Sequence, residues 1–261
     1  MIELAQRVLS ALVLIPIIFA ATWFGEPWFS LLVSVVAILG VREFYAMLPH
    51  FRGQPLVFFG MAFSVLFVVC SHFHDPRAVP LIITSVVVLS LVWLIYRYRV
   101  ENAFVSVAWT LGGILYIGWL LSHYVSLRSI DNGMELVLFV LFSTFAADTG
   151  AYFVGKVWGR HLIAPLVSPG KTVEGTIGGF ICAIAAAYSL ALILGLPTNH
   201  CLLLGCLIGV FAHFGDLVES LLKRSVEVKD SGQLIPGHGG ILDRLDSVLF
   251  TGIVVYYYVI W

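Results

Sequence analysis

Nine stretches of this chain are each apolar for long enough to cross a bilayer, roughly residues 8–24, 28–48, 56–73, 78–96, 103–127, 134–155, 174–195, 201–222 and 243–261. A hydrocarbon solvent offers the backbone no hydrogen-bonding partner, so such stretches must form helices that satisfy their own amides. Composition excludes a water-soluble domain. Hydrophobic residues make up 60% of the chain and charged ones 11%, and mean hydropathy is +1.01, where a soluble domain carries about 25% charged residues. The expected fold class is an all-α polytopic membrane protein, a bundle of about nine transmembrane helices in one integral membrane domain over 1–261. With a net charge of −1, nothing points to nucleic acid as a partner.

Turn-forming clusters separate the spans: Gly25-Glu26-Pro27, His50 to Pro55, His74-Asp75-Pro76, Arg97-Tyr98-Arg99, Asp131-Asn132-Gly133 and Leu196-Pro197-Thr198-Asn199. Arg7 followed by Val8 to Phe24 imitates a secretory signal. No small-x-small cleavage site follows, so this segment is expected to be a retained first helix. Cys70, Cys182, Cys201 and Cys206 are scattered through apolar context and read as small packing residues. Gly175-x-x-x-Gly179 and Gly205-x-x-x-Gly209 let helix backbones approach closely, with packing inside the chain favoured over dimerisation. Counted over alternate loops, twelve of the fourteen Lys and Arg residues fall on one side, leaving Arg77 and Arg128 on the other. The positive-inside rule places the twelve, and the N-terminus, in the cytoplasm and the C-terminus outside. The expected location is an inner (plasma) membrane of bacterial type.

Charge is also uneven along the chain. Residues 1–140 read as scaffold helices, whereas 141–261 carry the chemistry. The densest polar stretch begins at Gly215-Asp216-Leu217-Val218-Glu219-Ser220 and continues through Lys223, Arg224, Lys229 and Asp230. It then passes Pro236-Gly237-His238-Gly239-Gly240 to end at Asp243-Arg244-Leu245-Asp246. Carboxylates, cations and glycines in one place suit the handling of phosphates with a divalent metal. Asp216, Glu219, Ser220 and Lys223 share one helix face by their spacing. A solvated helix end with a Glu219–Lys223 ion pair explains part of this but not Asp216, which follows Phe211-Ala212-His213-Phe214 at membrane depth. His213 itself reads as a packed helix residue. Asp243 and Asp246 could be no more than an acidic first turn. With Asp216 they also supply three oxygen ligands of the kind Mg²⁺ takes.

Two further segments stand out. In Ser168-Pro169-Gly170-Lys171-Thr172-Val173-Glu174-Gly175, the Gly-Lys-Thr is not a Walker A motif. Pro165 occupies the first glycine position and no preceding strand is expected. A helix start carrying Lys171, Thr172 and Glu174 can attract anions, or can simply be a capping box. Asp148-Thr149-Gly150-Ala151-Tyr152, with Gly155 and Lys156, puts a carboxylate deep in the sixth apolar segment. There it is either functional or satisfied by a neighbouring lysine.

The run Ser220-x-x-Lys223-Arg224-x4-Lys229-Asp230-x-Gly232-x3-Pro236-Gly237-His238-Gly239-Gly240-Ile241-x-Asp243-Arg244-x-Asp246 resembles the long signature of the phosphatidate cytidylyltransferase (CDP-diacylglycerol synthase) family. The segments around Asp148 and Lys171 resemble two others of the same family, with Gly170 where members often carry a more polar residue. The N-terminal half is similar only in hydropathy and layout. The resemblance implies transfer of CMP from CTP to phosphatidate, giving CDP-diacylglycerol and pyrophosphate, near the cytoplasmic face. It implies Mg²⁺ on Asp216, Asp243 and Asp246, a second cation and a homodimer. Catalytic roles fall to Asp216, Lys223, Asp243, Arg244 and Asp246. Substrate contacts fall to Asp148, Ser168, Lys171, Thr172, Glu174, Ser220, Arg224, Lys229, Asp230, His238, Gly239 and Gly240. A lipid kinase or nucleotidyltransferase with another acceptor is the nearest alternative. An ion-coupled carrier fits less well, because the polar residues cluster at one face and no repeated halves are visible.

The division of basic residues yields a direct test of orientation. A cysteine introduced beside Lys229 should react with an impermeant reagent only from the cytoplasmic side, and one beside Asn199 only from outside. Labelling of both from one side would overturn the nine-span arrangement.

Overall fold

A computed structural model of the protein describes residues 2–49, 52–73, 77–97, 102–237 and 239–261. Each expected apolar window has become a helix. They are α1 (Ile2–Phe24), α2 (Trp28–Ala46), α3 (Val57–Phe73) and α4 (Ala78–Arg97), then α5 (Ala103–Gly113) and α6 (Leu120–Arg128), which a π-helical turn at Ile114–Trp119 joins into one rod. After these come α7 (Gly133–Trp158), α8 (Val173–Leu194), α9 (Thr198–Ser225) and α10 (Leu242–Ile260). Among the described residues six helical segments are long and apolar enough to cross a membrane. Two shorter apolar segments, Leu9–Phe24 and Val57–Phe73, add to them, and α10 carries Asp243, Arg244 and Asp246 in its first turns. The chain is an integral membrane protein. One element departs from the all-helical expectation: β1 (Leu162–Ala164) pairs antiparallel with β2 (Ser168–Thr172). A strand therefore does precede α8, but Gly170-Lys171-Thr172 lies within it rather than in a loop wrapping a helix start. The P-loop reading fails for that reason as well.

The chain divides into two compact units: residues 1–129 with 230–243, and residues 130–229 with 244–261. In the first, Phe67, Ile82, Val86 and Ile114 form a buried core against which Phe63, Leu111 and Trp119 pack. Tyr45 lies where a side chain on Gly60 or Gly113 would collide with its ring, and its hydroxyl donates to the Thr110 carbonyl at 2.7 Å. In the same unit Arg128, the last residue of α6, donates through Nε to the Thr22 carbonyl of α1 at 2.8 Å. The loop 230–243 thus belongs with helices from the opposite end of the sequence.

The second unit is built on small residues. Gly175 and Gly179 in α8 face the α7 backbone at Ala151 and Ala147, and Gly205 and Gly209 in α9 face Ala187 and Phe180 of α8. Both small-residue motifs are thereby used inside the chain, as van der Waals packing without a hydrophobic drive requires. A hydroxyl pair, Thr144 Oγ1 to Thr251 Oγ1 at 2.9 Å, ties α7 to α10. Thr172 caps α8, accepting from the Gly175 amide at 3.1 Å. The second half of the expected capping box does not form. Glu174 instead accepts from the Arg160 and His161 amides at 3.0 and 3.2 Å and meets His161 Nδ1 at 2.6 Å. The hairpin has turned the residues before β1 back onto the start of α8, offering that carboxylate better-placed donors than the cap amide.

A side chain added at Gly205 would sit 2.7 Å from the Ala187 methyl and 3.1 Å from the Ile184 backbone, whereas one at Gly170 would meet nothing within 4 Å. Gly205→Val should therefore cost about 1–3 kcal/mol of stability by overpacking, read as a lowered Tm in detergent, and Gly170→Ala should leave Tm unchanged.

Candidate functional site

Lys171, near the end of β2, extends its ammonium to Asp216 of α9, Nζ to Oδ2 2.7 Å. The hairpin makes this possible. It carries the chain back from α7 so that the residue just before the Thr172 cap faces α9. The pair lines a cavity of about 430 Å³ with Asp148, Tyr152, Lys156 and His213, a volume in the range of small-ligand sites. Lys156 lies 5.6 Å from the centre of the Tyr152 ring. Two sequence-level readings meet here. Asp148, in α7, is half-buried, and its Oδ1 accepts from Ser247 Oγ at 3.1 Å. It lies within electrostatic reach of Asp246, Asp216 and Lys171.

Asp246 completes the acidic group. It lies within electrostatic reach of Asp216 and Lys223, and Lys223 pairs at 3.2 Å with Glu219, which is fully buried. The expected i,i+4 ion pair on α9 is therefore present. Its acid sits inside the protein, not at a solvated helix end. Counted over the groups joined by these interactions, four carboxylates (Asp148, Asp216, Glu219 and Asp246) stand against two ammonium groups (Lys171 and Lys223). Within this group the carboxylates outnumber the ammonium groups by two, with Lys156 a further cation on the same cavity wall.

The remaining expected residues are placed as follows. Ser168 pairs opposite Ala164 in the hairpin, and Arg224 Nε approaches the Val167 carbonyl at 3.4 Å, bracing the hairpin tip. Thr172 lines the cavity, while Glu174 is held by Arg160 and His161 as described. Ser220 is half-buried, and Lys229, Asp230 and Arg244 are exposed. In the first unit, Asp243 accepts from the Gly240 amide at 2.9 Å and from the Ser231 amide at 3.2 Å. Ile235 and Gly239 pair through both their amides, at 2.9 and 3.1 Å. His238 lies outside the described residues. Among the described residues, no three His, Cys, Asp or Glu side chains are grouped as a ready-made metal site.

Sequence reasoning passed over Ser247, the hydroxyl partner of Asp148, because a serine in a helix carries no signal of its own. It also passed over Glu43 in α2, a buried carboxylate bonded to the loop 230–243. The signal for Glu43 was available: it is an ionisable residue inside an apolar helix, the criterion that singled out Asp148 and Asp216.

Similarity to known proteins agrees with this chemistry. A model of the cytidylyltransferase family matches residues 5–261, and the chain belongs to that family. Among its curated relatives are phosphatidate cytidylyltransferases. That of Bacillus subtilis is 31% identical, with 96% of each chain covered. That of Staphylococcus haemolyticus is 31% identical over 94% of this chain and 95% of its own. That of Synechocystis is 32% identical over 98% and 96%.

Lys171 contacts Asp216 directly at the cavity wall. Lys171→Ala should insert and purify normally but lose about 2–4 kcal/mol of transition-state stabilisation, measured as kcat/KM with labelled CTP. Turnover near wild type would reduce Lys171 to a structural counter-ion.

Proposed function

We propose that the protein transfers CMP from CTP to phosphatidate, forming CDP-diacylglycerol and releasing pyrophosphate. The observation that carries this reading is the Lys171–Asp216 pair at the wall of the 430 Å³ cavity, joined to Asp148 and Asp246, in a chain of the cytidylyltransferase family. The named activity of relatives matched over nearly their whole length supports the choice of lipid acceptor.

The chemistry asks little covalent participation from the protein. A phosphatidate oxygen, already ionised, attacks the α-phosphorus of CTP. The bond from that phosphorus to the bridging oxygen breaks, and pyrophosphate departs with the electron pair. No general base is required. What the reaction does require is that two anions be brought together and held in line. Lys171 serves this by neutralising a phosphate oxygen, exchanging its Asp216 partner for substrate. Lys223, already beside Glu219, and Lys156 at the cavity wall add positive charge to the same region.

A divalent cation fits the donor set. Asp216 and Asp246 offer oxygen only, and the cluster carries an excess of negative charge. Mg²⁺ needs only one or two carboxylates when phosphate oxygens and water complete its shell. Asp216 and Asp246 would hold it, with Asp148 and its Ser247 bond beside them. Bound there, it would neutralise charge on the triphosphate as pyrophosphate leaves. The second cation implied by the resemblance would also answer the excess negative charge. The reading carries with it a bilayer environment, nine spans, a cytoplasmic N-terminus with the site on that side, an inner-membrane location and a homodimer.

Purified protein should convert labelled CTP to lipid-linked CMP with phosphatidate and not with a neutral diacylglycerol. Turnover with another acceptor alone would replace the proposal. Asp216→Asn and Asp246→Asn preserve shape but each removes a negative charge. Activity should fall by orders of magnitude, with partial recovery at raised Mg²⁺ or with Mn²⁺. A wild-type dependence on Mg²⁺ in both variants would sink the metal assignment.

A further inference from the structure

Glu43 sits in α2, far in sequence from the polar signature, and only 4% of its surface is exposed. Its Oε2 accepts from the amide of Leu242 at 2.9 Å and from the hydroxyl of Ser231 at 3.3 Å. Oε1 is buried and meets no hydrogen-bond donor among the described residues. A side chain on Gly232 or on Gly240 would collide with this same carboxylate. Two glycines of the loop are thus explained by a residue nearly two hundred positions upstream. Leu242 is the first residue of α10, so its amide is one of the donors that a helix start leaves without an internal partner. Glu43 caps that helix from a different helix, and its negative charge suits the positive end of the α10 dipole. Asp243 fastens the same loop from within by accepting from Ser231 and Gly240.

A carboxylate at this depth is expensive unless it does something for the fold or the reaction. Plain packing would be met by an apolar residue, which α2 supplies at almost every other position. We infer that Glu43 is a positioning residue for the cytidylyl-transfer reaction: it clamps the Ser231–Leu242 loop onto α2 and sets the start of α10, the helix that carries Asp243, Arg244 and Asp246. The inference rests on the function proposed above. It moves part of the catalytic apparatus into the helices that sequence alone reads as scaffold.

The test uses the full-length protein in detergent, with Glu43→Ala and Glu43→Gln compared with wild type. Amide hydrogen exchange across 231–242 should speed up by about tenfold or more in Glu43→Ala, with exchange in α7 and α8 unchanged. Glu43→Gln keeps one oxygen for the Leu242 amide and should lie between. In the kinetics, Glu43→Ala should raise KM for CTP by about tenfold and also lower kcat, with partial rescue by glutamine. A purely structural role would lower kcat only in proportion to the folded fraction and leave KM where it was, and that result overturns the inference. So does unchanged exchange in the loop. If Glu43→Ala does not fold, Glu43→Gln carries the same two measurements and the same criteria. Failure of the wild-type protein to turn over CTP with phosphatidate would strike the proposed reaction, whereas the exchange pattern would still judge the clamp.

Discussion

In a chain this apolar, a charge has to be answered by another group or it does not stay. That constraint organises everything beyond the helices themselves. Burial of Glu219 is tolerable because Lys223 lies one turn away. Asp216 is answered by Lys171 across the hairpin, Asp148 by a hydroxyl from α10, and Glu43 by an amide and a hydroxyl of the loop. Each pairing joins or reinforces elements that hydrophobic packing alone leaves free to slide, since lipid tails solvate apolar side chains as well as a neighbouring helix does.

The two units answer the constraint differently. The second unit concentrates charge. Its helices approach through glycine and alanine, which brings α7, α8 and α9 close enough for acids from several elements to share one neighbourhood. The result is a group of carboxylates and lysines beside a cavity. The first unit disperses charge and uses the deeply buried carboxylate of Glu43 as a fastener. In it Tyr45 packs against Gly60 and Gly113, and the glycine-rich loop is held to α2 through Glu43. A reaction that depends on positioning two anions has use for both arrangements.

Helix placement, fold class and family were legible in the residues themselves. Apolar run length decides where a chain can span a bilayer, and that is a local property. The sequential signature from Ser220 to Asp246 was equally legible, as was the α9 ion pair, because i and i+4 are neighbours on any helix. Asp148 and Asp216 announced themselves by the cost of their surroundings. What local reasoning could not supply was partnership between distant positions. A glutamate in α2 beside a loop at 230–243 is a matter of long-range packing, and a 3.6-residue period carries no trace of it. The hairpin was hidden too, since Leu162–Ala164 and Ser168–Thr172 are too short to show a strand period.

The sequence by itself thus determined that this protein would be a helical membrane protein of the cytidylyltransferase family, with its densest polar signature near its C-terminus. Solvent imposes helix on long apolar runs, and a long sequential signature can be read without the fold. Only the tertiary structure decided which acids meet which bases. It put Lys171 on Asp216, grouped Asp148 with Asp246, diverted Glu174 to Arg160 and His161, and gave the glycine-rich loop to Glu43. Those choices depend on side chains brought together by close helix packing, and a carboxylate accepts whichever donor the folded chain brings within about 3 Å.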